Sequence, residues 1–552
     1  MGRQSVAWRE WGPRAFEEAR SGGRLLFLLI RDSWSQASAD AQRLVSEDSA
    51  LSALLDSTFV PVLSDADAEP DIFCRYGGPA VPCACVLHAD GAIVRTFESV
   101  DAKELQAALS KIGSSVPASE TVRRRGLGLY PVPFLPSDDR NLERGTEALE
   151  TIRRRLEDCL EPVGAAFKGR SGESGTVPLR FLLEYAKGVG EENLLRKVVE
   201  WLHTLAHSEL YDSVEGGFFT RRQELSTGTD KRLRANAHWL EFALAIAGEP
   251  GGRFALPLAR GILHYLQTRL LLPGGAFAAG QREDPGYYGL SADERRHVVP
   301  PPLNDTVYAA GNAAAIRALC VAWQELGEKA YLDLALGAHE FVRDHLVAPD
   351  GSVAHAYKDG PRGIGYLEDE LAVGSSLLAL YRSTLAPAFL ESLRESARNV
   401  VSSYRNPAGA GLLDLRTRSG AGGLPWAPKL DPLLNARAAV FLARASAQLD
   451  DPSLAAPARS ILAALLGEMD QDADTLGYVG LALTASLHPM AYFVAVTDGT
   501  EAQRAMVVEK IRTFGKPFPM ILHGVPSPED RGLALPRLTA HCGNRRDVIP
   551  VP

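Results

Sequence analysis

The chain has 552 residues, of which 46% are hydrophobic and 23% charged, a composition typical of a folded protein with more than one hydrophobic core. Its formal net charge is −9, with Lys and Arg scattered among acids, which excludes a basic face for nucleic acid or an anionic membrane. No stretch has the ~18 apolar residues of a membrane span, and residues 1–10 lack the apolar core of a signal peptide. We therefore expect a cytoplasmic protein that binds neither nucleic acid nor membrane, with its oligomeric state left open.

The six cysteines are spread through the sequence without a Cys-x-x-Cys pair or a histidine-rich neighbourhood. This pattern predicts neither a zinc site nor a disulfide framework, so we expect no metal and no cofactor. Cys83 and Cys85 alternate within an apolar run, which is typical of a strand.

Residues 13–112 alternate between helix-like and strand-like patterns. Residues 24–30 and 59–64 are apolar runs of strand length, next to amphipathic segments at 14–21 and 38–56. Residues 83–89 and 92–98 flank His88-Ala89-Asp90-Gly91, a hairpin turn signal, and a helix follows at 102–112. A βαβ unit followed by a hairpin and a helix is thioredoxin-like in outline, and we assign it to residues 1–115.

Residues 116–140 lose periodicity and contain four prolines, which predicts a linker. From residue 141 to residue 490 the helical period predominates, with twelve helix-length segments that form six antiparallel hairpins. In such an array the even-numbered helices all point the same way, so the loops that precede them gather at one end. The helices are predicted to begin near residues 141, 178, 193, 231, 254, 305, 329, 368, 388, 431, 453 and 477.

Glycine clusters recur between these hairpins, and each is followed by a short strand-like run. Glycine readily takes positive φ, so each cluster predicts a sharp turn. The clusters are Gly216-Gly217, Gly274-Gly275, Gly351 and Gly409-Ala410-Gly411.

Residues 491–552 change pattern again. A strand is predicted at 491–496, a helix at 500–514 and a strand at 519–524, followed by a non-periodic tail with Pro536, Pro550 and Pro552. The predicted fold class is therefore multidomain α/β plus all-α, with a small C-terminal α/β appendage.

Several motifs occur in a specific order: Trp8-x-x-Trp11-Gly12, Asp65 with Pro70-Asp71-Ile72, Lys231-x-Leu233-x-x-Asn236-Ala237, Asp305-x-x-Tyr308, and Leu367-Glu368-Asp369. In this order they resemble the family of unknown function (domain of unknown function 255) that includes spermatogenesis-associated protein 20. The resemblance implies a thioredoxin-like domain followed by an (α/α)6 six-hairpin glycosidase-like toroid, with a cis-proline at Pro82.

The chain departs from that family at two motifs. The family's Cys-His-Trp-Cys falls on Ser35-Gln36-Ala37-Ser38, and its His-Phe-Glu-Lys falls on Gly228-Thr229-Asp230-Lys231. Thiol exchange needs a nucleophilic and a resolving sulfur, and a serine hydroxyl replaces neither. The sequence therefore excludes a thiol-disulfide oxidoreductase, and a histidine that the family carries is missing.

Acidic residues stand at the start of most even-numbered helices, where the hairpin geometry gathers them around one mouth. Glu368, Asp369 and Asp305 are the candidates for catalytic acid or base, since glycoside hydrolysis needs two facing carboxylates. The alternative is helix capping, because Asp accepts the unpaired N–H groups of a helix start. Further acids of this kind are Asp230, Asp431, Asp472 and Asp474.

Histidines indicate a different chemistry, the epimerase or isomerase route, in which bases move a proton next to a carbonyl. His238 and His355, the latter in a loop at the same end, are the most plausible pair of opposed bases; His238 is the catalytic candidate and His355 is also a candidate for substrate binding. Tyr288, Trp239 and Trp426 are candidate platforms for stacking of sugar rings, or core residues.

We therefore expect a thioredoxin-domain-containing protein that binds a carbohydrate-like small molecule in the toroid cavity. If active, it is a carbohydrate-active hydrolase or an epimerase or isomerase. The alternative is a catalytically inactive binding or scaffold protein.

Overall fold

A computed structural model describes residues 6–78, 80–115, 142, 144–159, 175–220, 228–416, 428–467, 472–487, 492–513, 521–524, 536–542 and 545–549. The predicted linker at 116–140 lies outside these residues, and the domain boundaries stay a prediction. The chain forms two compact units, one with the N-terminal sheet and one with the helical array and the C-terminal sheet. No helix in the described ranges combines the length and apolarity that a membrane crossing requires.

The N-terminal unit has a five-stranded sheet in the order β1-β3-β2-β4-β5. Strands β1 and β2 run parallel to β3, and β4 runs antiparallel to both β2 and β5. The Val81–Pro82 peptide bond is cis, as the resemblance implies. The elements are β1 (Arg9–Glu10), α1 (Pro13–Ser21), β2 (Leu25–Arg31), α2 (Gln36–Glu47), α3 (Ser49–Thr58), β3 (Phe59–Asp65), α4 (Pro70–Tyr76), β4 (Cys83–Leu87), β5 (Ile93–Phe97) and α5 (Ala102–Ser115).

Strand β2 is apolar on both faces because helices cover both sides of the sheet. Phe27 and its same-face neighbours pack with residues of α2, α3 and α5, whereas Leu28 and its neighbours pack with residues of α1 and α4. Alternate side chains of one strand thus enter two separate cores. This three-layer arrangement confirms the predicted thioredoxin-like fold.

The second unit contains all twelve predicted long helices, each beginning within a few residues of the expected position. The outer helices are α6 (Gly145–Asp158), α8 (Glu192–Ala206), α10 (Ala255–Tyr265), α14 (Lys329–His345), α16 (Pro387–Ser403) and α18 (Pro452–Gly467). The inner helices are α7 (Thr176–Val189), α9 (Leu233–Ala247), α13 (Ala309–Leu326), α15 (Leu367–Thr384), α17 (Pro432–Leu449) and α19 (Ala473–Leu487). Two single-turn helices, α11 (Pro285–Tyr288) and α12 (Ala292–Arg295), lie between α10 and α13.

The inner helices form a closed ring. The order around the ring is α7, α9, α13, α15, α17 and α19. Each helix packs against the next one in this order, and α19 packs back against α7. Each outer helix packs against the inner ring, so one large hydrophobic core fills the space between the two layers. The helical unit is therefore the predicted (α/α)6 toroid.

The glycine clusters form the turns that lead from outer to inner helices. Gly216, Gly275, Gly351 and Gly411 all have positive φ, between 78° and 98°. At Gly216 a side chain would in addition collide with the backbone carbonyl of Gly261. An isolated β-bridge closes each turn, which confirms the predicted short strand pairing: Tyr211 with Phe218, Leu271 with Phe277, Val347 with Val353, and Arg405 with Leu412.

A side chain from the fourth residue of an inner helix fastens each of these turns. Asn312 accepts a hydrogen bond from the N–H of Phe277 at 2.8 Å and donates one to its carbonyl at 3.0 Å. Asn236 and Asn435 make the same pair of bonds to Phe218 and Leu412, and all three asparagines are fully buried. We call this arrangement the asparagine bridge.

Short strands lie among the loops at β6 (Lys231–Arg232), β7 (Gly280–Gln281), β8 (Leu303–Asn304), β9 (Val307–Tyr308), β10 (Ala354–Tyr357) and β11 (Pro361–Ile364). Strands β9, β10 and β11 form an antiparallel sheet with β10 in the centre. This sheet leads directly into the N-terminal ends of α13 and α15.

The C-terminal region forms the predicted strand-helix-strand unit, with β12 (Tyr492–Val496) parallel to β13 (Ile521–Gly524) and α20 (Glu501–Thr513) between them. The prediction of a non-periodic tail is wrong. Strands β14 (Arg537–Cys542) and β15 (Arg545–Ile549) extend the sheet because β14 pairs with the free side of β12. This sheet and α20 pack on Tyr381 and Leu385 at the C-terminal end of α15.

Candidate functional site

Glu368 is held between two arginines from other inner helices. Its Oε1 lies 2.7 Å from Nη1 of Arg234 on α9 and 2.8 Å from Nη1 of Arg437 on α17. Helices α9 and α17 are not neighbours of each other in the ring, so the three side chains meet across its interior. Because Glu368 is the second residue of α15, the cluster lies at the end where the glycine turns gather.

The two guanidinium groups decide the charge of Glu368. Burial alone would raise its pKa, but Arg234 and Arg437 outweigh that effect and hold the pKa well below its usual range. The side chains of Glu368, Arg234 and Arg437 remain 26%, 29% and 10% exposed, so solvent reaches the cluster. Glu368 is therefore a permanent carboxylate with charged hydrogen-bond donors beside it.

His355 and Asp369 form a hydrogen-bonded pair at the same end of the ring. Nδ1 of His355, on β10, lies 2.8 Å from Oδ2 of Asp369, on α15. The carboxyl group is fully buried, and the imidazole is 8% exposed. A carboxylate only accepts hydrogen bonds, so Nδ1 carries the proton in the neutral ring and the basic lone pair is at Nε2.

Two tyrosines flank this imidazole. The rings of Tyr308 and Tyr366 have their centroids 5.3 and 5.1 Å from that of His355. Each tyrosine is the residue that immediately precedes an inner helix, α13 or α15. The structure thus brings together Asp369 and His355, which the sequence singled out separately, and adds two aromatic groups.

The other predicted acids have different surroundings. Asp431 and Asp472 each accept a hydrogen bond at 3.0 Å from the backbone N–H three residues later, which is helix capping. Asp305 is exposed and lies 2.9 Å from Nζ of Lys358. Asp230 is fully buried, and its Oδ2 lies 2.8 Å from Nε of Arg232. Asp474 is fully buried in α19. Among the predicted acids, Glu368 lies beside the two arginines and Asp369 lies beside His355.

The remaining predicted residues are dispersed. His238 lies on α9, 8% exposed, three residues before a buried glutamate. Trp239 faces the outer layer, where its ring stacks on Trp201 at 6.3 Å and packs against Phe218 in the core. Trp426 lies outside the described residues. The structure does not place Trp239 among the groups around Glu368.

Tyr288 belongs to a cage around a buried lysine. Nζ of Lys231 lies 4.5, 4.8 and 5.2 Å from the ring centroids of Tyr265, Tyr288 and Phe219. Lys231 also donates to Asp212 at 2.5 Å, and its side chain has no exposed surface. Burial lowers the pKa of Lys231 to about 8.

A second cation completes this cage. Nη1 of Arg295 lies 3.0 and 2.8 Å from the two carboxylate oxygens of Asp212, which therefore serves Arg295 and Lys231 together. Lys231 further donates to the carbonyl of Gly216 at 2.9 Å. Through these contacts Lys231 fastens the first glycine turn to the start of α9.

Sequence reasoning missed Glu370, which replaces the asparagine of the bridge in α15. Its Oε1 accepts a hydrogen bond from the N–H of Val353 at 3.1 Å, and it is 1% exposed. Burial raises the pKa of Glu370 to about 7. The signal was present in the sequence as an asparagine at the fourth position of α9, α13 and α17, with Glu370 in register.

The serines at the family's dithiol position have structural roles. Ser35 precedes α2, and its Oγ accepts a hydrogen bond from the N–H of Ser38 at 3.1 Å. Oγ of Ser38 accepts from the N–H of Asp32, and both serines are buried. The described cysteines Cys83 and Cys85 are free thiols in β4, and burial raises the pKa of each. Among the described residues no three His, Cys, Asp or Glu side chains are grouped so that they could hold a metal ion.

Solved structures similar to this chain include sugar-processing proteins at low sequence identity. A D-mannose isomerase has 14% identity and a TM-score of 0.47, over 65% of this chain and 99% of its own. The cellobiose 2-epimerase of Bacillus thermoamylovorans has 10% identity and a TM-score of 0.47, over 59% and 86%. The α-1,6-mannanase of a Salegentibacter species has 12% identity and a TM-score of 0.44, over 62% and 99%.

No curated protein matches the chain in sequence. Residues 2–80 match the family model described as "Protein of unknown function, DUF255", with the short name Thioredox_DsbH. The match covers strands β1 to β3 and the serine position that replaces the dithiol. Residues 2–80, which lie in the thioredoxin-like domain, are therefore similar to the DUF255 family, as the sequence resemblance predicted.

Proposed function

We propose that the toroid binds a sugar-like small molecule at the glycine-turn end of its ring and that His355 moves a proton on it. The observation that carries this proposal is the His355–Asp369 pair between two tyrosine rings, on the same helix turn as the Glu368 cluster. Small-molecule sites combine a few fixed polar groups with aromatic walls, and this end of the ring supplies both.

The polar groups suit a polyhydroxylated ligand. Glu368 offers carboxylate oxygens, and Arg234 and Arg437 offer several N–H donors in fixed positions. Hydroxyl groups both donate and accept, so a sugar can bond to either kind of group. Because all three side chains are partly exposed, a ligand in the ring interior can reach them.

The electrostatics favour an epimerase or isomerase over a hydrolase. Glycoside hydrolysis requires one carboxyl group to be protonated, whereas the arginines keep the pKa of Glu368 far below neutral pH. His355 is suited to proton transfer next to a carbonyl, since Asp369 orients the imidazole and stabilises its protonated form. We therefore assign His355 as the base and Asp369 as its positioning residue.

A non-catalytic binding or scaffold protein is the second candidate. The observation that favours it is again Glu368, because its pairing with two arginines satisfies the charge that a ligand would otherwise meet. Under this alternative the ring interior is a structural ion-pair network. Binding without turnover would distinguish it from the enzyme.

The test is a thermal-shift screen of the full chain against neutral and acidic monosaccharides, since a ligand that binds only the folded state raises the melting temperature. Each ligand found is then incubated with the protein, and its anomeric NMR signals are followed for conversion. His355→Gln should lower the conversion rate by about 10²- to 10⁴-fold. Asp369→Asn should lower it as well, because it removes the acceptor that fixes the imidazole.

His264→Gln is the matched control, since His264 lies exposed on the outer helix α10. It should leave binding and conversion unchanged. Equal rates for wild type and His355→Gln would eliminate His355 as the base. No thermal shift with any sugar would eliminate the binding proposal itself, and binding without conversion would favour the scaffold.

A further inference from the structure

The Glu368 cluster, which consists of Glu368, Arg234 and Arg437, spans the full width of the ring. Helices α9 and α17 are three places apart in the order around the ring, so they lie on opposite sides of it. Arg234 of α9 and Arg437 of α17 nevertheless contact the same oxygen, Oε1 of Glu368, at 2.7 and 2.8 Å. The three side chains therefore bridge the interior from one wall to the other.

His238 lies below this cluster, farther from the glycine-turn end, on the same face of α9. Residues 234, 238 and 241 are spaced by four and three positions, so their side chains point to one side of the helix. Glu241 lies 2.8 Å from Arg180 of α7 and 2.8 Å from Arg317 of α13, so this side faces the ring interior. His238 is therefore one helical turn, about 6 Å, below Arg234 and between two layers of ion pairs.

His355 lies on the other side of the Glu368 cluster, at the rim of the ring. It belongs to β10, in the sheet that leads into the N-terminal ends of α13 and α15. The rings of Tyr308 and Tyr366 beside it are only half-buried. A ligand that enters at the glycine-turn end therefore reaches His355 without passing the cluster, whereas the cluster lies between that ligand and His238.

The side chains of the cluster supply charge but no proton. Burial would raise the pKa of Glu368, but Arg234 and Arg437 outweigh it and hold the pKa well below its usual range, so the carboxyl group stays ionised. Guanidinium groups do not lose their proton in proteins. Because Arg234 and Arg437 remain 29% and 10% exposed, they can donate hydrogen bonds to a negative charge that develops on a ligand above them.

The number of bases that reach the reacting carbon decides the outcome of proton transfer beside a carbonyl. Inversion of that carbon needs a base on one face and a proton donor on the opposite face, as in an epimerase. One base alone removes and returns the proton on the same face, which moves the proton between adjacent carbons and interconverts an aldose and a ketose.

We infer that the Glu368 cluster is the floor of the ligand site, that His355 acts on the substrate as a single base, and that the reaction is the isomerisation of an aldose to a ketose. The inference rests on the proposed function and narrows it. His238 lies beneath the floor and takes no part in the reaction.

The proton transfers balance with no reactant other than solvent water. Nε2 of His355 takes the proton from C2 of the open-chain aldose, and the electrons of the broken C2–H bond form the C1=C2 double bond of an enediolate, with the negative charge on O1. Arg234 and Arg437 stabilise this charge. Water carries the hydroxyl proton of O2 to O1. The electrons left on O2 then form the C2=O bond, and the electrons of the double bond take the proton of His355 back onto C1.

The test follows the full chain by NMR with D-glucose, D-mannose, D-galactose and D-glucuronate, each deuterated at C2. We expect a ketose as the first product, with part of the deuterium at its C1, because one base carries the same hydrogen from carbon to carbon. A C2 epimer that forms before any ketose, with its C2 hydrogen taken entirely from solvent, would overturn the inference.

Two variants test the position of the floor. His238→Asn should lower the conversion rate by less than about tenfold, and a larger loss would place His238 in the reaction and overturn the inference. If His238→Asn does not fold, as judged by circular dichroism, His238→Gln replaces it, and the labelling result on the wild type stands independently of both. His264→Gln is again the matched control.

Arg437→Gln should lower kcat by about 10²-fold with little change in KM, because the charge of the enediolate develops only during the reaction. An unchanged kcat in this variant would overturn the role of the cluster as the floor. Conversion with the signature of two bases would overturn the inference and leave the proposed function intact. Conversion of none of the sugars in the screen would overturn the proposed catalytic function, and the inference with it.

Discussion

Glu370 gives the sharpest prediction, because it occupies a position that elsewhere carries an uncharged amide. In α13 the asparagine bridge donates to one backbone group of its turn and accepts from another, whereas an ionised Glu370 only accepts. Glu370→Gln keeps the length of the side chain and supplies the missing donor. We expect the variant to be more stable than the wild type above neutral pH.

The size of the stability difference between wild type and variant follows from the pKa of Glu370 in the unfolded and in the folded chain. Burial raises the pKa of this carboxyl group from its ordinary value of 4.5, which it has in the unfolded chain, to about 7 in the folded protein. The folded state favours the protonated form, so this stabilisation is fully present below about 4.5 and is lost as the pH rises through about 7. At 1.36 kcal/mol for each pH unit, the loss is about 3 kcal/mol.

The assay is thermal and urea unfolding of wild type and Glu370→Gln, followed by far-ultraviolet circular dichroism at about pH 5 and about pH 8. The two proteins should unfold at similar midpoints at the lower pH, and the variant should be the more stable by up to about 3 kcal/mol at the higher pH. Parallel pH profiles for the two proteins would refute the reasoning. Glu69→Gln is the matched comparison, since burial also raises the pKa of Glu69, in the other unit, to about 7.

Three further predictions concern other parts of the fold. Asn312→Ala should destabilise the toroid by about 2–4 kcal/mol in urea unfolding, because it leaves two buried backbone groups without partners. Asp212→Asn should cost about 3–5 kcal/mol and Lys231→Met less, because the aspartate neutralises two buried cations and the lysine only one anion. In an insulin-reduction assay the protein should read as buffer does, because Ser35 and Ser38 occupy the dithiol position.

Each of these has its own control. Asn193→Ala, at an exposed position near the start of α8, should change the stability by less than about 0.5 kcal/mol. Equal losses for Asn193→Ala and Asn312→Ala would mean that the bridge contributes nothing specific. A larger loss for Lys231→Met than for Asp212→Asn would contradict the charge argument. Insulin reduction above background would require a reactive thiol elsewhere in the chain, since Ser35 and Ser38 carry none.

Local sequence signals were sufficient for the architecture. All twelve long helices were located from the sequence because the outer helices bury one continuous face and the inner helices, which are buried nearly all round, are long apolar segments. The glycine clusters located the turns because positive φ is a local requirement. Strand β14 escaped prediction because it pairs with β12, about forty residues earlier, and β15 escaped because it in turn pairs with β14.

The surroundings of the candidate residues could be predicted only in part. His355, on β10, and Asp369, at the start of α15, are only fourteen residues apart, so their pairing was within reach of local reasoning. Arg234 lies 134 residues from Glu368 in sequence, and only closure of the ring brings them together. Whether an acid at a helix start caps the helix or meets a distant arginine depends on that closure, so the sequence left both alternatives open.

The asparagine bridge allows the loop between each turn and its inner helix to change in length during evolution. In the four turns, the turn residue and the helix residue that bonds to it are 18, 35, 17 and 23 positions apart in sequence. In every case the bonding residue is nevertheless the fourth residue of the inner helix. The chain between the two anchors can therefore lengthen or shorten without moving the helix that follows. Insertions at these positions would alter what covers the mouth of the ring while the frame stays fixed, and they are where we would graft new segments to redirect its specificity.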